Sequence, residues 1–271
     1  MYDEPRRWIQ ALENRVQYVE KRLRSGSPVV GLPYNNGALL FTMRPRGQQK
    51  VYEVYDRLAM GALGHPADVE RLRMIAVNLA HVEGFARSAD DVTLQRLLHF
   101  TIAPQIKQAF DEIYRSPFIA KCLMAELAPK AEQTQFFTVN FDGNFSSHDR
   151  FGAAAGTQDA EETALHAMES RLSESPGLEE SLRCAVYAWG ASFDAAFNEA
   201  DDDRIEERPP PSDDAVGAAL AKAAERLLPE AAVLDHTLSG KAKYRKLTKE
   251  ELRVVEEAAE KLRPKENGQD R

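Results

Sequence analysis

The sequence predicts an α+β fold, a four-layer αββα sandwich in which two antiparallel sheets pack face to face between helices. Its segments alternate in groups: one helix, short strands, two helices, a second group of strands and two more helices. Sheets that pack on each other and are covered by outer helices bury all their apolar faces. Asn36-Gly37, between two apolar runs, is a strong hairpin signal and favours antiparallel pairing.

Composition and charge narrow the class of protein. The 271 residues are 43% hydrophobic and 29% charged, which is typical of a folded chain. The formal charge of −8 disfavours nucleic acid as a partner. Cys122 and Cys184 lie in apolar stretches, and the histidines lack ligand spacing, so we expect neither a disulfide nor a metal or other cofactor. The charged start and the lack of long apolar runs predict a cytoplasmic protein that makes no contact with membrane.

The first element is an amphipathic helix over residues 5–24. Its apolar stripe at helical spacing comprises Trp8, Leu12, Val16, Val19 and Leu23. The opposite face carries six basic residues: Arg6, Arg7, Arg15, Lys21, Arg22 and Arg24. That face could bind nucleic acid or a membrane, but it also holds Glu13 and Glu20, so a solvated or inter-subunit face is the favoured interpretation.

Strands and helices follow in sequence order. The first group of strands is expected at 29–32, 38–43, 51–55 and 59–63. Two long helices should then cover 66–86 and 88–114, the second capped by Ser88 and kinked at Pro104. The second group of strands is expected at 118–127, 135–141 and 150–154, and the next two helices at 159–174 and 178–197.

The last part of the chain begins with residues 199–228, which we interpret as an insert made of a charged, proline-rich loop to 214 and an alanine-rich helix from 215. A final hairpin is predicted at 231–238 and 241–247. Thr248 and Glu251 have the spacing of a capping box for a terminal helix. We therefore expect one domain over residues 1–264 and a flexible tail at 265–271.

Several blocks of the sequence resemble a proteasome subunit of the α type, of the bacterial kind. The matching stretches are Ser27–Leu40, Gln49–Arg57, Ala59–Gly64, Phe151–Thr157, Ala232–Leu238 and Tyr244–Thr248. The likeness extends over roughly residues 5–198 and 229–262. It implies the N-terminal nucleophile hydrolase fold, and residues 5–24 occupy the place of the extra N-terminal helix that marks α subunits.

The resemblance also implies a function and partners. Seven copies would form a homo-oligomeric, non-catalytic ring that caps the proteolytic β subunits. That ring would gate the passage of unfolded protein substrates delivered by an ATPase activator ring. Lys50 matches the lysine that anchors the carboxylate of an activator tail, and Gly26 and Gly61 match glycines of the same pocket. Without the resemblance, Lys50 would be interpreted as a solvated lysine at the end of a strand and the glycines as turn residues.

Two further interpretations concern the start of the first strand and the N-terminus. Ser27 follows Gly26 as a processed nucleophile would, and Lys50 matches the active-site lysine, but Met43 stands at the acidic position. A self-processing peptidase is therefore an alternative, and a scaffold ring without β subunits is another. Tyr2 and Asp3 match two residues of the motif that orders the gate, although Glu4 replaces its arginine.

Overall fold

The computed structural model describes residues 4–128, 134–197 and 210–263. The helices are α1 Glu4–Leu23, α2 Pro66–Ala86, α3 Leu94–Leu97, α4 Ala103–Asp111, α5 Gln158–Arg171, α6 Leu178–Phe197, α7 Asp213–Ala224 and α8 Arg253–Lys261. The strands are β1 Val29–Tyr34, β2 Gly37–Pro45, β3 Val51–Tyr55, β4 Leu58–Gly64, β5 Ala120–Leu127, β6 Thr134–Val139, β7 Phe145–His148, β8 Gly152–Ala154, β9 Leu227–Asp235 and β10 Tyr244–Lys246.

The strands in the described ranges form two five-stranded sheets whose pairings are all antiparallel. The first sheet has the order β10-β9-β2-β1-β8 and the second the order β3-β4-β5-β6-β7. The predicted hairpin is confirmed: Tyr34 pairs with Gly37, which leaves Asn35 and Asn36 as a two-residue loop. Gly37 has no room for a side chain, because a Cβ there would lie 2.0 Å from the Leu234 carbonyl oxygen.

In the described part of the chain, the three largest apolar cores separate four layers, as the sequence predicts. The inner core lies between the two sheets and contains Val29, Leu40, Leu123 and Phe136. An outer core lies between the first sheet and helices α5 to α8, around the fully buried Trp189. The other outer core joins the second sheet to α2, α3 and α4. Alternate residues of the strands thus face opposite cores, which is the period-two pattern of a strand covered on both sides.

Helix α1 precedes this sandwich and touches it mainly at its C-terminal end. Val19 and Leu23 are fully or almost fully buried and belong to the inner core. Trp8 and Ile9, near the other end, are about half exposed, at 49% and 51%. The predicted apolar stripe is therefore real, but only its last part is buried within one copy of the chain.

The second long helix differs from the prediction of a run over 88–114. Ser88 caps only a single 3₁₀ turn, and the helical run starts at Leu94, where the Thr93 side chain accepts from the Arg96 amide. A π-helical turn, Leu98–Ile102, precedes Pro104, and α4 ends at Asp111. Proline has no N–H to donate, so the regular hydrogen-bond pattern is interrupted at the predicted place.

Strand β7 was missed by the sequence analysis, and the strand expected over 150–154 is shorter. Phe145–His148 pairs with β6 at the edge of the second sheet, while Gly152–Ala154 pairs with β1 of the first. The sequence Phe-Ser-Ser-His lacks apolar alternation because an edge strand with partly exposed side chains does not need it.

The end of the chain has the predicted order of elements, but β9 begins at Leu227, within the range interpreted as an insert, and α8 begins only at Arg253. Helix α7 begins at Asp213 with Ser212 as its cap, and its buried face packs on α6. The two hydrogen bonds of the predicted capping box are present: the Thr248 amide donates to Glu251 at 2.7 Å, and the Glu251 amide donates to the Thr248 hydroxyl at 3.3 Å. They close the turn that precedes α8, whose own N-cap residue, Leu252, makes no side-chain capping bond, so the prediction that Thr248 caps the terminal helix is wrong. Most of the charged loop before α7 and the expected tail lie outside the described residues.

Candidate functional site

A cavity of about 630 Å³ opens where α1, the two sheets and α7 meet. Its walls include Lys50 and Gly26, two of the three residues assigned to the pocket from the sequence, but Gly61 is not among the lining residues. Apolar side chains, among them Leu63, Val69 and Phe193, form much of its surface. A concave apolar site of this size with a few polar groups is typical of a ligand pocket.

Lys50 is buried rather than solvated, with 8% of its surface exposed. Its ammonium group donates to the carbonyl oxygen of Ser27 and, at 3.0 Å, to the hydroxyl of Thr42. Thr42 lies in β2 of the first sheet, and Ser27 lies just before β1 of the same sheet. Lys50, in contrast, immediately precedes β3 of the second sheet. The side chain thus connects the two sheets at the cavity, and the interpretation of Lys50 as a solvated strand-end residue is wrong.

Burial lowers the pKa of Lys50 to about 7, because an ammonium group loses its hydration inside the protein. The carboxylate of Glu230 opposes this shift and accepts a 2.8 Å hydrogen bond from the Lys50 amide. Glu230 is itself buried, which raises its pKa, although the Lys50 amide and the Arg44 guanidinium favour its charged form. A carboxylate entering the cavity would add a second negative charge near Lys50, beside that of Glu230.

Thr42 and Glu230 were not predicted as site residues, although each has a feature that could have indicated one. Both are buried polar residues within apolar strands, and they lie opposite each other in the β2–β9 pair. Buried polar groups need partners, and here those partners are the ammonium and the amide of Lys50.

The two candidate glycines serve close packing at this junction. A Cβ on Gly26 would lie 2.6 Å from a Leu63 methyl carbon and 2.8 Å from the Leu23 carbonyl oxygen. A Cβ on Gly61 would lie 2.5 Å from a Val29 methyl carbon, in the space between the sheets. Gly26 therefore lets α1 approach β4, and Gly61 lets β4 approach β1.

Ser27 is placed differently from an activated nucleophile. Its hydroxyl donates to the Met43 carbonyl oxygen and lies 3.4 Å from the Thr42 hydroxyl. A carbonyl oxygen does not take up a proton as a general base does, so this contact does not activate Ser27.

The basic face of α1 divides into parts with different surroundings. Arg15 is partly buried and donates to the Ala109 carbonyl oxygen at 2.8 Å, to that of Ile113 at 3.2 Å and to that of Arg115. It thereby caps the C-terminal end of α4, where a cation also interacts well with the helix dipole. Arg22, further along α1, lines the cavity. The expectation of a wholly solvated or inter-subunit face is therefore wrong for Arg15.

Comparison with known families agrees with this fold. A sequence profile of the family described as "Proteasome subunit" matches residues 23–200, which is more than half of the chain. The chain belongs to the proteasome subunit family. The part of it that precedes the match contains most of α1.

Named relatives place this proteasome subunit in the α class. Proteasome subunit alpha of Thermomonospora curvata is 30% identical over 65% of this chain and 75% of its own length. The proteins of the same name from a Nocardioides species and Streptomyces avermitilis are each 27% identical. The first match covers 88% of this chain and 82% of the relative, and the second covers 92% and 88%.

This proteasome subunit is therefore of the non-catalytic α type, and catalysis belongs to β subunits. The self-processing peptidase with Ser27 as nucleophile is overturned by this assignment. Membership in the family implies assembly into a ring together with β subunits. Among the described residues, no helix combines the length and apolarity that crossing a membrane requires. Tyr2 and Asp3, the candidate gate residues, lie outside the described ranges.

Proposed function

We propose that seven copies of this chain form the outer ring of a cytoplasmic proteasome core particle, gate the passage of unfolded substrates and dock an ATPase activator. The observation that carries the docking is the buried ammonium group of Lys50 at the wall of a large cavity. Residues 1–264 would act as one domain with 265–271 as a flexible tail, and Tyr2 and Asp3 would belong to the gate.

The chemistry of the cavity suits the carboxylate at the end of a protein chain. An ammonium group donates strong, charge-assisted hydrogen bonds to a carboxylate, and these are strengthened where water is excluded. Lys50 is held by Ser27 and Thr42, so little side-chain freedom would be lost on binding. The gate opens on docking only if the tail binds the open form more tightly than the closed form.

The docking is tested by substitution of Lys50 in particles reconstituted with β subunits and an ATPase activator. Lys50→Met keeps most of the side-chain volume and removes the charge, and Lys249→Met, at an exposed lysine, is the matched control. We expect Lys50→Met to abolish activator-dependent peptide hydrolysis without loss of ring assembly, and the control to behave as wild type. Full stimulation of an assembled Lys50→Met particle would refute the docking site.

The ring itself is tested by co-expression with a β-type subunit encoded in the same genome. A particle containing both subunits, with seven-fold α rings in class averages, is the expected result. A ring that never binds β subunits would instead support the stand-alone scaffold. Removal of Tyr2 and Asp3 should raise peptide hydrolysis in the absence of the activator, because the gate would lose its ordering contacts.

A further inference from the structure

Basic residues from two separate elements flank the Lys50 cavity. Helix α1 contributes Arg22 from its last turn, and the region at the end of α7 contributes Lys222 and Arg226. Arg22 and Arg226 are exposed, and within the described ranges neither side chain has a hydrogen bond or ion pair. With Lys50, four basic residues line the cavity; Glu225 also lines it, and Glu230 lies next to Lys50.

The cavity lining holds more basic than acidic residues, whereas the whole chain holds more acidic than basic residues. The whole protein carries a formal charge of −8, so a cluster of cations around one cavity is not a consequence of composition. Positive groups around a concave apolar site attract and orient an anionic ligand. The apolar wall formed by Leu63, Val69 and Phe193 favours a peptide over a small inorganic anion, because an ion gains nothing from apolar contacts.

The packing of α7 positions the residues that directly follow this helix, which include Arg226. A Cβ on Gly190 of α6 would lie 2.8 Å from a Val216 methyl carbon, so α6 and α7 are in close contact. A Cβ on Gly217 would lie only 1.7 Å from the carbonyl oxygen of Leu262 at the end of α8, and Ala223 is buried at the cavity wall. Helix α7, which was expected from sequence only as part of an insert, therefore brings the chain that follows it, with Arg226, to the cavity.

We propose that Arg22 and Arg226 form a subsite for acidic side chains of the same peptide whose terminal carboxylate binds Lys50. The occupant is a C-terminal tail with acidic residues just upstream of its last residues. This inference rests on the proposed docking function and adds a specificity determinant to it: tails with upstream acidic residues are selected over neutral ones. The cavity has room for such a segment, since pockets of this size bury ligands much larger than one carboxylate.

The test uses four fluorescent peptides with the same apolar C-terminal residues and the full-length assembled protein. Two upstream positions carry either two glutamates or two glutamines, and the terminus is either a free carboxylate or an amide. Binding is measured by fluorescence anisotropy at pH 6.5 and moderate salt for wild type, for Arg22→Gln/Arg226→Gln and for Lys50→Met. Arg6→Gln, at an exposed arginine of the same helix far from the cavity, is the control.

We expect the glutamate peptide to bind wild type about two- to twenty-fivefold more tightly than the glutamine peptide, since each of two exposed ion pairs contributes about 1.4- to fivefold. The preference should disappear in Arg22→Gln/Arg226→Gln, persist in Arg6→Gln and weaken with added salt. Equal binding of the two peptides to wild type, or a preference that survives the double substitution, would overturn the subsite.

The comparison of peptides that end in a free carboxylate with peptides that end in an amide tests the docking function separately. A preference for the free carboxylate over the amide that is lost in Lys50→Met supports the proposed docking, whatever the upstream residues do. Absence of that preference refutes the docking at Lys50, and a glutamate preference that depends on the two arginines would then remain as evidence for the subsite. If no peptide binds the assembled ring, both proposals are refuted.

Discussion

The ammonium nitrogen of Lys50 lies 3.0 Å from the hydroxyl oxygen of Thr42, so a cation of one sheet is hydrogen-bonded to a strand of the other. The same ammonium group donates to the carbonyl oxygen of Ser27, which lies just before β1. One buried lysine thus contributes both to the contact between the sheets and to the wall of the cavity.

Lys50 should make the free energy of unfolding rise with pH between about 7 and 10. Burial lowers the pKa of Lys50 to about 7, below its unfolded value, so in that range the unfolded chain binds more protons than the folded chain. Deprotonation of Lys50 then removes the cost of burying a charge, by at most about 1.4 kcal/mol per pH unit. Urea unfolding of wild type and Lys50→Met at pH 7, 8 and 9 measures the effect.

The difference between the two proteins isolates the lysine, since every other titrating group is common to both. Wild type should gain stability relative to Lys50→Met with each step in pH. A constant difference in the free energy of unfolding across the three pH values would show that Lys50 does not titrate in this pH range.

Binding of a tail with a free carboxylate should have the opposite pH dependence. A bound carboxylate raises the pKa of Lys50, because an opposite charge favours the ammonium form. Above pH 7 the free site must take up a proton before it binds, so affinity should fall by up to about tenfold per pH unit. Anisotropy titrations at pH 6, 7 and 8 with free and amidated peptides check this, and the amidated peptide should vary much less.

Removal of Arg15 should destabilise the junction of α1 and α4. Its guanidinium donates to carbonyl oxygens at the end of α4, including that of Ala109 at 2.8 Å. Arg15→Gln leaves carbonyl groups without this donor and should lower the free energy of unfolding by about 1–3 kcal/mol. Hydrogen exchange should show faster opening around residues 109–116. Arg6→Gln, on an exposed part of the same helix, should change neither measurement.

Replacement of Gly217 by alanine should destabilise the protein although alanine favours helices. A Cβ at this position would lie 1.7 Å from the Leu262 carbonyl oxygen, so α7 or the end of α8 must move. We expect a loss of about 1–3 kcal/mol in urea unfolding, whereas helix propensity alone predicts a gain of about 1 kcal/mol. Ala218→Gly, at the exposed neighbouring position, calibrates the propensity effect. A stabilised Gly217→Ala protein would show that the two helices separate easily.

Local signals account for the elements that were predicted correctly. Asn36-Gly37 determined the first hairpin, helical spacing predicted the apolar stripe of α1 that includes Val19 and Leu23, and the Thr248–Glu251 spacing predicted the two hydrogen bonds between those residues. These features depend on residues within a few positions of one another. Strand β7 had no such signal, because an edge strand with mixed burial has no regular pattern to detect.

The sequence by itself determined the class of fold and the order of the elements, because periodicity and local motifs are properties of neighbouring residues. The candidate role of Lys50 came from the resemblance of the sequence to α-type proteasome subunits. Only the tertiary structure decided that Lys50 is buried against Thr42, that Arg15 caps α4, and that α7 brings Arg226 to the same cavity as Arg22. These pairs are far apart in the chain or belong to different sheets and helices. Their contacts, and the lowered pKa of Lys50, arise from long-range packing and the exclusion of water, which no local pattern encodes.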